Sequence, residues 1–200
     1  MSLFFMKGFS FDELHIMSAQ IYDKYMTADM TQYQKDKAVE GIFDELLDLL
    51  IYYYLLAEQD VIDDLGLNVV LPESIMAMYD TIIKDIDGKN IKDRIRDHVN
   101  EGSLGLFTTL VDSEAHRVYC TAGEDTAEDV IRSLGLSGTK SWMTMLDDKV
   151  RDTHSYLQSK KVPIGEEFFT YDGDHALYPG GFTSAENNVN CRCFLLYSLV

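Results

Sequence analysis

The stretch KSWMTMLDDKVRDTH, residues 140–154, marks the point where the sequence pattern of this chain changes. Residues 141–145 are β-branched or aromatic often enough to predict a strand. Residues 149–157 predict a helix, and beyond them Gly, Pro and Asp alternate with short apolar runs such as 167–170 and 193–197. The stretch therefore predicts a loop-rich region of mixed helix and strand at the end of the chain.

The residues before this stretch predict helices, because apolar side chains recur at steps of three and four. The predicted helices cover residues 12–30, 34–65, 72–86, 91–99, 107–121 and 126–134. The expected fold class is α+β, with an N-terminal helical bundle followed by a small, loop-rich α+β C-terminal domain. We place the helical region at residues 4–100 and the α+β domain at residues 101–200.

The composition excludes several classes of protein. The 200 residues include 34 acidic and 17 basic side chains, for a net charge of −17, while 46% are hydrophobic. That hydrophobic share argues against disorder, and the charge repels phosphate backbones and anionic lipids, so nucleic acid and membranes are unfavourable partners. The three cysteines are too few for a disulfide scaffold, and the sequence shows no signal-type leader, so we expect folding in a reducing cytoplasm.

Candidate polar chemistry begins with three side chains in the predicted helix 149–157 and just before it. Asp147, Arg151 and His154 follow one another at steps of four and three, which would place them on one face of a helix. Such a face presents an acid, a guanidinium and a base together. A solvated, salt-bridged helix surface is the alternative interpretation of the same spacing.

A second candidate is the segment Asn190-Cys-Arg-Cys193. Cys191 and Cys193 with His154 offer three zinc ligands, and Asp147 or Cys120 could supply a fourth. In a straight strand the two thiols would lie about 6.6 Å apart, so a shared metal requires a curved backbone. The same cysteines could instead be buried apolar side chains, or one could be a nucleophile with His154 as base and Asp147 or Asp148 as the orienting acid.

The order of short motifs near the C-terminus resembles the signature of phage Mu F-like minor head proteins. After residues 140–154 it comprises Val162-Pro-Ile, Asp172-Gly-Asp, Tyr178-Pro-Gly-Gly and Asn188-Val-Asn-Cys-Arg-Cys193. Upstream, residues 88–95 and 110–119 resemble further segments of the family, the second being similar to its Arg-Thr-Glu helix. In that helix Glu114 is kept, whereas Asp112 and Ser113 replace the arginine and threonine.

The resemblance implies a non-enzymatic minor head protein of a tailed phage or prophage that acts in head morphogenesis at the portal vertex. Its implied partners are portal, scaffold or capsid proteins, and its implied locations are the phage head and, during assembly, the host cytoplasm. We expect the 147–154 helix to pack against residues 190–193 and to lock the C-terminal region, with Glu114 and Asn190 in support. No cofactor is expected other than zinc at His154, Cys191 and Cys193.

Two enzymatic alternatives remain open from the sequence. The first is a metal- or cysteine-dependent hydrolase that acts in head maturation or on a host target, with His154 as base or ligand. The second is an ADP-ribosyltransferase built on an arginine and a glutamate. The second is weakened because Asp112 stands where the arginine of the Arg-Thr-Glu pattern is expected.

Overall fold

The computed structural model describes residues 9–69, 75–86 and 88–200. Its elements, in chain order, are α1 (Phe11–Tyr25), α2 (Gln32–Asp64), α3 (Ile75–Ile83), α4 (Ile91–Glu101), α5 (Leu104–Leu134), β1 (Gly138–Thr144), α6 (Asp152–Ser155), β2 (Lys161–Pro163), β3 (Phe168–Phe169), β4 (His175–Ala176), α7 (Ala185–Asn188) and β5 (Cys193–Leu199). This order confirms the predicted α+β class, with a helical N-terminal region and a small C-terminal region of antiparallel strands. The predicted start of the third helix at Pro72 lies outside the described residues.

Helix α2 forms the centre of the helical core. It is 33 residues long and begins at Thr31 with a capping box, in which Thr31 and Gln34 satisfy each other's backbone N–H groups. Helices α1, α4 and α5 pack around it, and their shared interior is apolar. Its fully buried members include Leu14, Ile42, Leu46, Ile95, Phe107 and Val118. Burial of this apolar surface is the main stabilising contribution in this half of the molecule.

Helix α5 is continuous from Leu104 to Leu134, so the prediction of two helices over 107–121 and 126–134 is wrong. The predicted break falls around Gly123, which is instead a close-packing position inside the helix. A Cβ atom at Gly123 would lie 3.4 Å from the hydroxyl of Tyr197 and 3.7 Å from Cγ2 of Val61. The glycine therefore allows close packing of α2 and β5 against α5.

Two other predicted helix boundaries differ from the structure. Helix α1 ends at Tyr25 rather than near residue 30, because the backbone of Met26 is extended and Asp29 then takes a left-handed φ of 59° in the turn before α2. The helix predicted over 149–157 is reduced to the single turn of α6. Its sequence lacks a sustained apolar stripe, and helical segments this short depend on tertiary contacts.

The main sheet is antiparallel, in the order β2-β1-β5. In this register Lys140 of β1 lies between Val162 of β2 and Tyr197 of β5, and Thr144 lies opposite Cys193. Strand β1 begins at residue 138, three residues before the predicted start, and its alternate residues are buried. Strands β3 and β4 form a separate two-stranded pair.

The largest apolar core contains residues from both sides of the predicted domain boundary. It joins residues of α1, α2 and α4 to residues of α5 and to Phe194 of β5. The division at residue 100 stays a prediction. No helix in the described part of the chain is both long enough and apolar enough to cross a membrane.

Candidate functional site

The side chains of His154, Cys191 and Cys193 form a compact group in the C-terminal region, which we call the His-Cys cluster. The Nδ1 atom of His154 lies 3.3 Å from Sγ of Cys193 and 3.6 Å from Sγ of Cys191. The candidate ligand atoms of all three residues lie within 4.8 Å of one another. The exposed fractions of His154, Cys191 and Cys193 are 1%, 2% and 0%, so all three side chains are buried.

Local backbone geometry brings the cluster together. Helix α6 is a single turn that begins directly after the extended residue Arg151, and His154 lies within it. Asn190 has a left-handed φ of 54°, which turns the chain just before Cys191, and Cys193 begins β5. The sulfur atoms lie within 4.8 Å of each other. This is closer than the spacing of about 6.6 Å between alternate side chains of a straight strand.

The surroundings of the cluster are aromatic. The ring of Phe182 stacks on His154 at a centroid distance of 5.1 Å, and Trp142 meets the same imidazole edge-on at 5.7 Å. The Nε2 atom of His154 is buried without a hydrogen-bond partner. The imidazole therefore directs its Nδ1 toward the two thiols while its other face and edge lie against apolar rings.

The two thiols are not electrostatically equivalent. Burial raises the pKa of Cys191, but hydrogen bonds with Cys193 and His154 outweigh burial and leave that pKa well below its usual value. Burial and the hydrogen bond with Cys191 raise the pKa of Cys193. The contacts within the cluster thus shift the pKa values of the two thiols in opposite directions.

Asp147 and Arg151 do not share a helical face with His154, so that part of the site prediction is wrong. Leu146 has a left-handed φ of 55°, and Arg151 is the extended N-cap residue of α6. Asp147 consequently lies in a turn before the helix. A helical spacing rule cannot apply to residues on either side of such a turn.

Asp147 and Arg151 instead connect this turn to the segment that carries the cysteines. Asp147 forms an ion pair with Arg192 at 2.8 Å. Arg151 donates to the carbonyl oxygens of Asn187 at 3.2 Å and Val189 at 2.5 Å. Both residues therefore lie outside the His-Cys cluster and satisfy polar groups of the segment that leads into it.

Glu114, which was predicted to support the same site, belongs to a different group of side chains. One of its carboxylate oxygens accepts from Arg94 Nη1 at 2.5 Å, and the other accepts from Arg117 Nη2 at 2.9 Å. Burial raises the pKa of Glu114, but the hydrogen bond from Arg94 and the charge of Arg117 outweigh burial and lower it. Glu114 is thus an ionised carboxylate held between two guanidinium groups.

This group of charges borders the cavity next to α3 and α5. Arg117 also donates to the carbonyl oxygens of Thr81 at 2.9 Å and Ile82 at 3.3 Å, which ties α3 to α5. The cavity has a volume of about 370 Å³ and is also lined by Arg94 and by residues of the 178–183 loop. The Nε and Nη2 atoms of Arg94 and the hydroxyl oxygen of Ser113, which also lines the cavity, are buried without hydrogen-bond partners.

A buried ion pair between Lys140 and Glu124 was missed by the sequence analysis. The two side chains are 0% and 1% exposed and are in hydrogen-bond contact. The Lys140 ammonium also donates to the carbonyl oxygen of Leu177 at 2.8 Å, while Glu124 accepts from the Gly165 N–H at 3.0 Å. Burial is the largest influence on both groups, raising the pKa of Glu124 and lowering that of Lys140. The alternation of β1 places Lys140 on the face of Trp142, a signal that was present in the sequence.

His116 was also missed, although it contacts the backbone of the cluster. Its Nε2 atom lies 2.7 Å from the carbonyl oxygen of Cys193 and 3.5 Å from Sγ of Cys120. Cys120, offered in the sequence analysis as a fourth metal ligand, thus pairs with a different histidine. Among the described residues, His154, Cys191 and Cys193 are the side chains that form a group of three potential metal ligands close enough to share one ion.

Comparisons with known proteins show similarity to a phage minor head protein and to an ADP-ribosyltransferase. A 95-residue match, 48% of the chain, is 31% identical to minor head protein GP7 of Bacillus phage SPP1 and covers 30% of that protein. A 93-residue match, 46% of the chain, is 33% identical to NAD(+)–arginine ADP-ribosyltransferase EFV of Enterococcus faecalis (strain ATCC 700802 / V583) and covers 19% of it. The chain thus spans less than a third of each relative. No solved structure matches the chain significantly.

The family comparison covers more of the chain than either relative. The sequence profile of the family described as Phage Mu protein F like protein matches residues 76–196. The match runs from α3 through most of β5, so it includes the Glu114 group, the Lys140–Glu124 pair and the His-Cys cluster. Because it extends over more than half of the 200 residues, the chain belongs to the Phage Mu protein F like family.

Proposed function

We propose that this chain is a minor head protein that acts in head morphogenesis at the portal vertex by binding other phage structural proteins, without an enzymatic step. The main support for this proposal is the family match over residues 76–196, together with the 31% identity to a minor head protein. It supports a role in head morphogenesis. We further propose that the protein is located in the phage head and, during assembly, in the host cytoplasm.

The surface of the helical region supports protein partners. A groove of about 640 Å³ between α1 and α2 is lined by apolar and acidic side chains, including Met17, Tyr52 and Asp48. Met17 and Tyr52 are 42% and 56% exposed. Exposed apolar side chains beside a groove favour contact with another protein. This groove lies outside the segment that matches the family, so we assign the choice of partner to it.

The charge of the chain disfavours the packaged genome as a partner. A net charge of −17 opposes binding to a phosphate backbone. We expect no measurable binding of duplex DNA at physiological salt. A salt-sensitive, sub-micromolar complex in a fluorescence anisotropy titration would contradict this part of the proposal.

The burial of the thiols disfavours a cysteine hydrolase. Cys191 and Cys193 are 2% and 0% exposed, and the His154 base is equally enclosed. A substrate carbonyl has to approach the nucleophile to within about 3–3.5 Å before attack. Side chains buried this deeply among aromatic rings leave little room for such an approach.

The match to the ADP-ribosyltransferase concerns a small part of that enzyme. The chain spans 19% of it, and the Glu114 carboxylate is already paired with Arg94 and Arg117. We expect no transfer of ADP-ribose from NAD⁺ to agmatine, a soluble guanidinium acceptor. Turnover that Glu114→Gln abolishes would establish the enzymatic alternative instead.

The proposal is tested by co-expressing the full chain with the portal protein of its own phage or prophage genome. We expect the two proteins to elute together in size-exclusion chromatography, and Met17→Glu with Tyr52→Glu to separate them. Tyr33→Glu is the matched control, because Tyr33 is 71% exposed and does not line the groove. Binding to the major capsid protein but not to the portal protein would contradict the portal-vertex assignment.

A further inference from the structure

We propose that the His-Cys cluster binds one zinc ion through Nδ1 of His154 and the sulfur atoms of Cys191 and Cys193. This inference goes beyond the proposed function and does not depend on it. It rests on the positions, burial and chemistry of three side chains that the head-protein assignment leaves unused.

The distances agree with a tetrahedral zinc site. Zinc–sulfur bonds of about 2.3 Å and zinc–nitrogen bonds of about 2.0–2.1 Å place the sulfur and nitrogen ligands about 3.5 Å apart at the tetrahedral angle. The distances from His154 Nδ1 to the two sulfurs are 3.3 and 3.6 Å. The same geometry places the two sulfur atoms about 3.8 Å apart. This separation agrees with the structure, in which the ligand atoms of the cluster all lie within 4.8 Å of one another.

Hydrogen bonding alone satisfies this cluster poorly. A neutral imidazole with its proton on Nε2 presents one lone pair at Nδ1, and the two thiols Cys191 and Cys193 compete for it. A divalent cation accepts electron pairs from the nitrogen and both sulfurs at once. Two thiolates would neutralise its charge, so the buried site would carry no net charge when zinc is bound.

The position of the cluster in the fold gives a bound ion a structural role. Residues 145–192 contain only short helices and strands. The apolar core of this region is small and consists of Trp142, Leu157, Phe168, Ala176, Phe182, Cys191 and Cys193. An ion at the cluster would connect α6 to the start of β5 across 37 to 39 residues of chain. Small, loop-rich regions with little core gain stability from such a metal connection.

The fourth position of the tetrahedron is assigned to water. Cys191 also lines a cavity of about 440 Å³, together with Asn190 and Arg192. Three protein ligands and a water complete a tetrahedral zinc sphere in catalytic sites, whereas closed structural sites use four protein ligands. Cys120 does not fill this position, because its sulfur lies beside His116.

The test measures the metal content of the full chain, expressed with zinc in the medium and purified without chelator. We expect about one zinc per chain by inductively coupled plasma mass spectrometry, falling to under about one tenth in Cys191→Ser and Cys193→Ser. Cys120→Ser is the matched control, since it removes a buried thiol outside the cluster and should leave the metal content unchanged. Exchange of zinc for Co²⁺ should produce a thiolate-to-cobalt charge-transfer band that the two cluster variants lack.

A second measurement on the unmodified chain keeps the test decisive if a variant fails to fold. All three buried thiols should resist a thiol reagent under native conditions, and removal of the zinc by a chelator should make Cys191 and Cys193 reactive while Cys120 stays protected. Wild-type protein without zinc and without the cobalt band would overturn the proposal. Loss of the metal in Cys120→Ser, or its retention in both cluster variants, would overturn the ligand assignment.

Discussion

The helical core and the C-terminal region close their interiors with different kinds of side chain. The interior between α2 and its neighbours is apolar, with residues such as Ile42 and Leu46 fully buried. In the C-terminal region the fully buried side chains include Lys140 and His154 beside Trp142. Helix α5 also buries charged side chains, among them Glu114, Arg117 and Glu124. Polar side chains therefore contribute to the interior beside α5 as well as in the C-terminal region.

The physical reason is the backbone. A long helix satisfies its own N–H and C=O groups, so its buried face can be entirely apolar. Between β1 and β5 much of the chain is loop, and side chains such as Arg151 and Asp174 satisfy backbone groups instead. Each polar side chain that does so must itself be fully paired.

Breaking the buried ion pair should have the largest effect. Lys140→Met leaves Glu124 charged, buried and without its ammonium partner, which costs about 3–5 kcal/mol of unfolding free energy. Urea denaturation followed by circular dichroism measures this loss. Adding Glu124→Gln should recover part of it, because the amide is neutral and still bonds Gly165.

Lys149→Met is the control for removing a lysine from the same region, since Lys149 is exposed. It should change stability little. If Lys140→Met costs no more than this control, the ion pair does not hold the C-terminal region together.

A cavity in the helical core should have the next effect. Leu46 is 0% exposed, and Leu46→Ala is expected to cost about 2–5 kcal/mol of unfolding free energy. Leu55→Ala on the same helix is the control, because Leu55 is 46% exposed. Equal losses for the two variants in urea denaturation would show that the core does not pack as described.

Asp174 should make the stability of the C-terminal region depend on pH. Its carboxylate accepts from Thr183 Oγ1 at 2.6 Å, Ser184 Oγ at 2.7 Å and Asn187 Nδ2 at 2.7 Å. Burial raises the pKa of Asp174, but these hydrogen bonds outweigh burial and lower it. Because the folded pKa is below the unfolded value of about 3.9, its contribution is complete above that pH and is lost as pH falls further.

Asp174→Asn should therefore cost about 1–3 kcal/mol at neutral pH and weaken the loss of stability on acidification. Thermal unfolding of variant and wild type at a series of pH values measures both effects. Asp148→Asn, at an exposed position, is the control. An unchanged acid profile in Asp174→Asn would contradict the role given to this carboxylate.

Arg151→Lys should have a smaller effect. A lysine keeps the charge but lacks the planar pair of donors that reaches the carbonyl oxygens of Asn187 and Val189. The expected cost is about 1 kcal/mol of unfolding free energy. The ion pair between Arg132 and Asp129 is exposed and serves as the reference for a negligible effect. Asp129→Ala should change the free energy of unfolding by less than about 0.5 kcal/mol. A loss in Arg151→Lys no larger than that of Asp129→Ala would remove Arg151 from the polar framework.

The candidate site was only partly predictable from sequence. The residue types His154, Cys191 and Cys193 identified the cluster, because few other side chains offer nitrogen and sulfur ligands. Asp147 and Arg151 were assigned to it by a helical spacing that does not exist, since the turn at Leu146 precedes a single helical turn. Whether so short a segment becomes helical depends on what packs against it.

Local sequence was sufficient to predict the α+β class and the long helix α2, but not the continuity of α5. Apolar repeats over many residues, as in α2, bury one face in any compact arrangement, so local periodicity suffices. The packing of the elements decided which distant charges meet: Glu114 with Arg94, and Lys140 with Glu124. Local spacing places Arg117 three residues from Glu114, but it does not specify partners that lie 16 and 20 residues away. Because a buried charge requires a partner, these pairs form only when the fold brings the two side chains together.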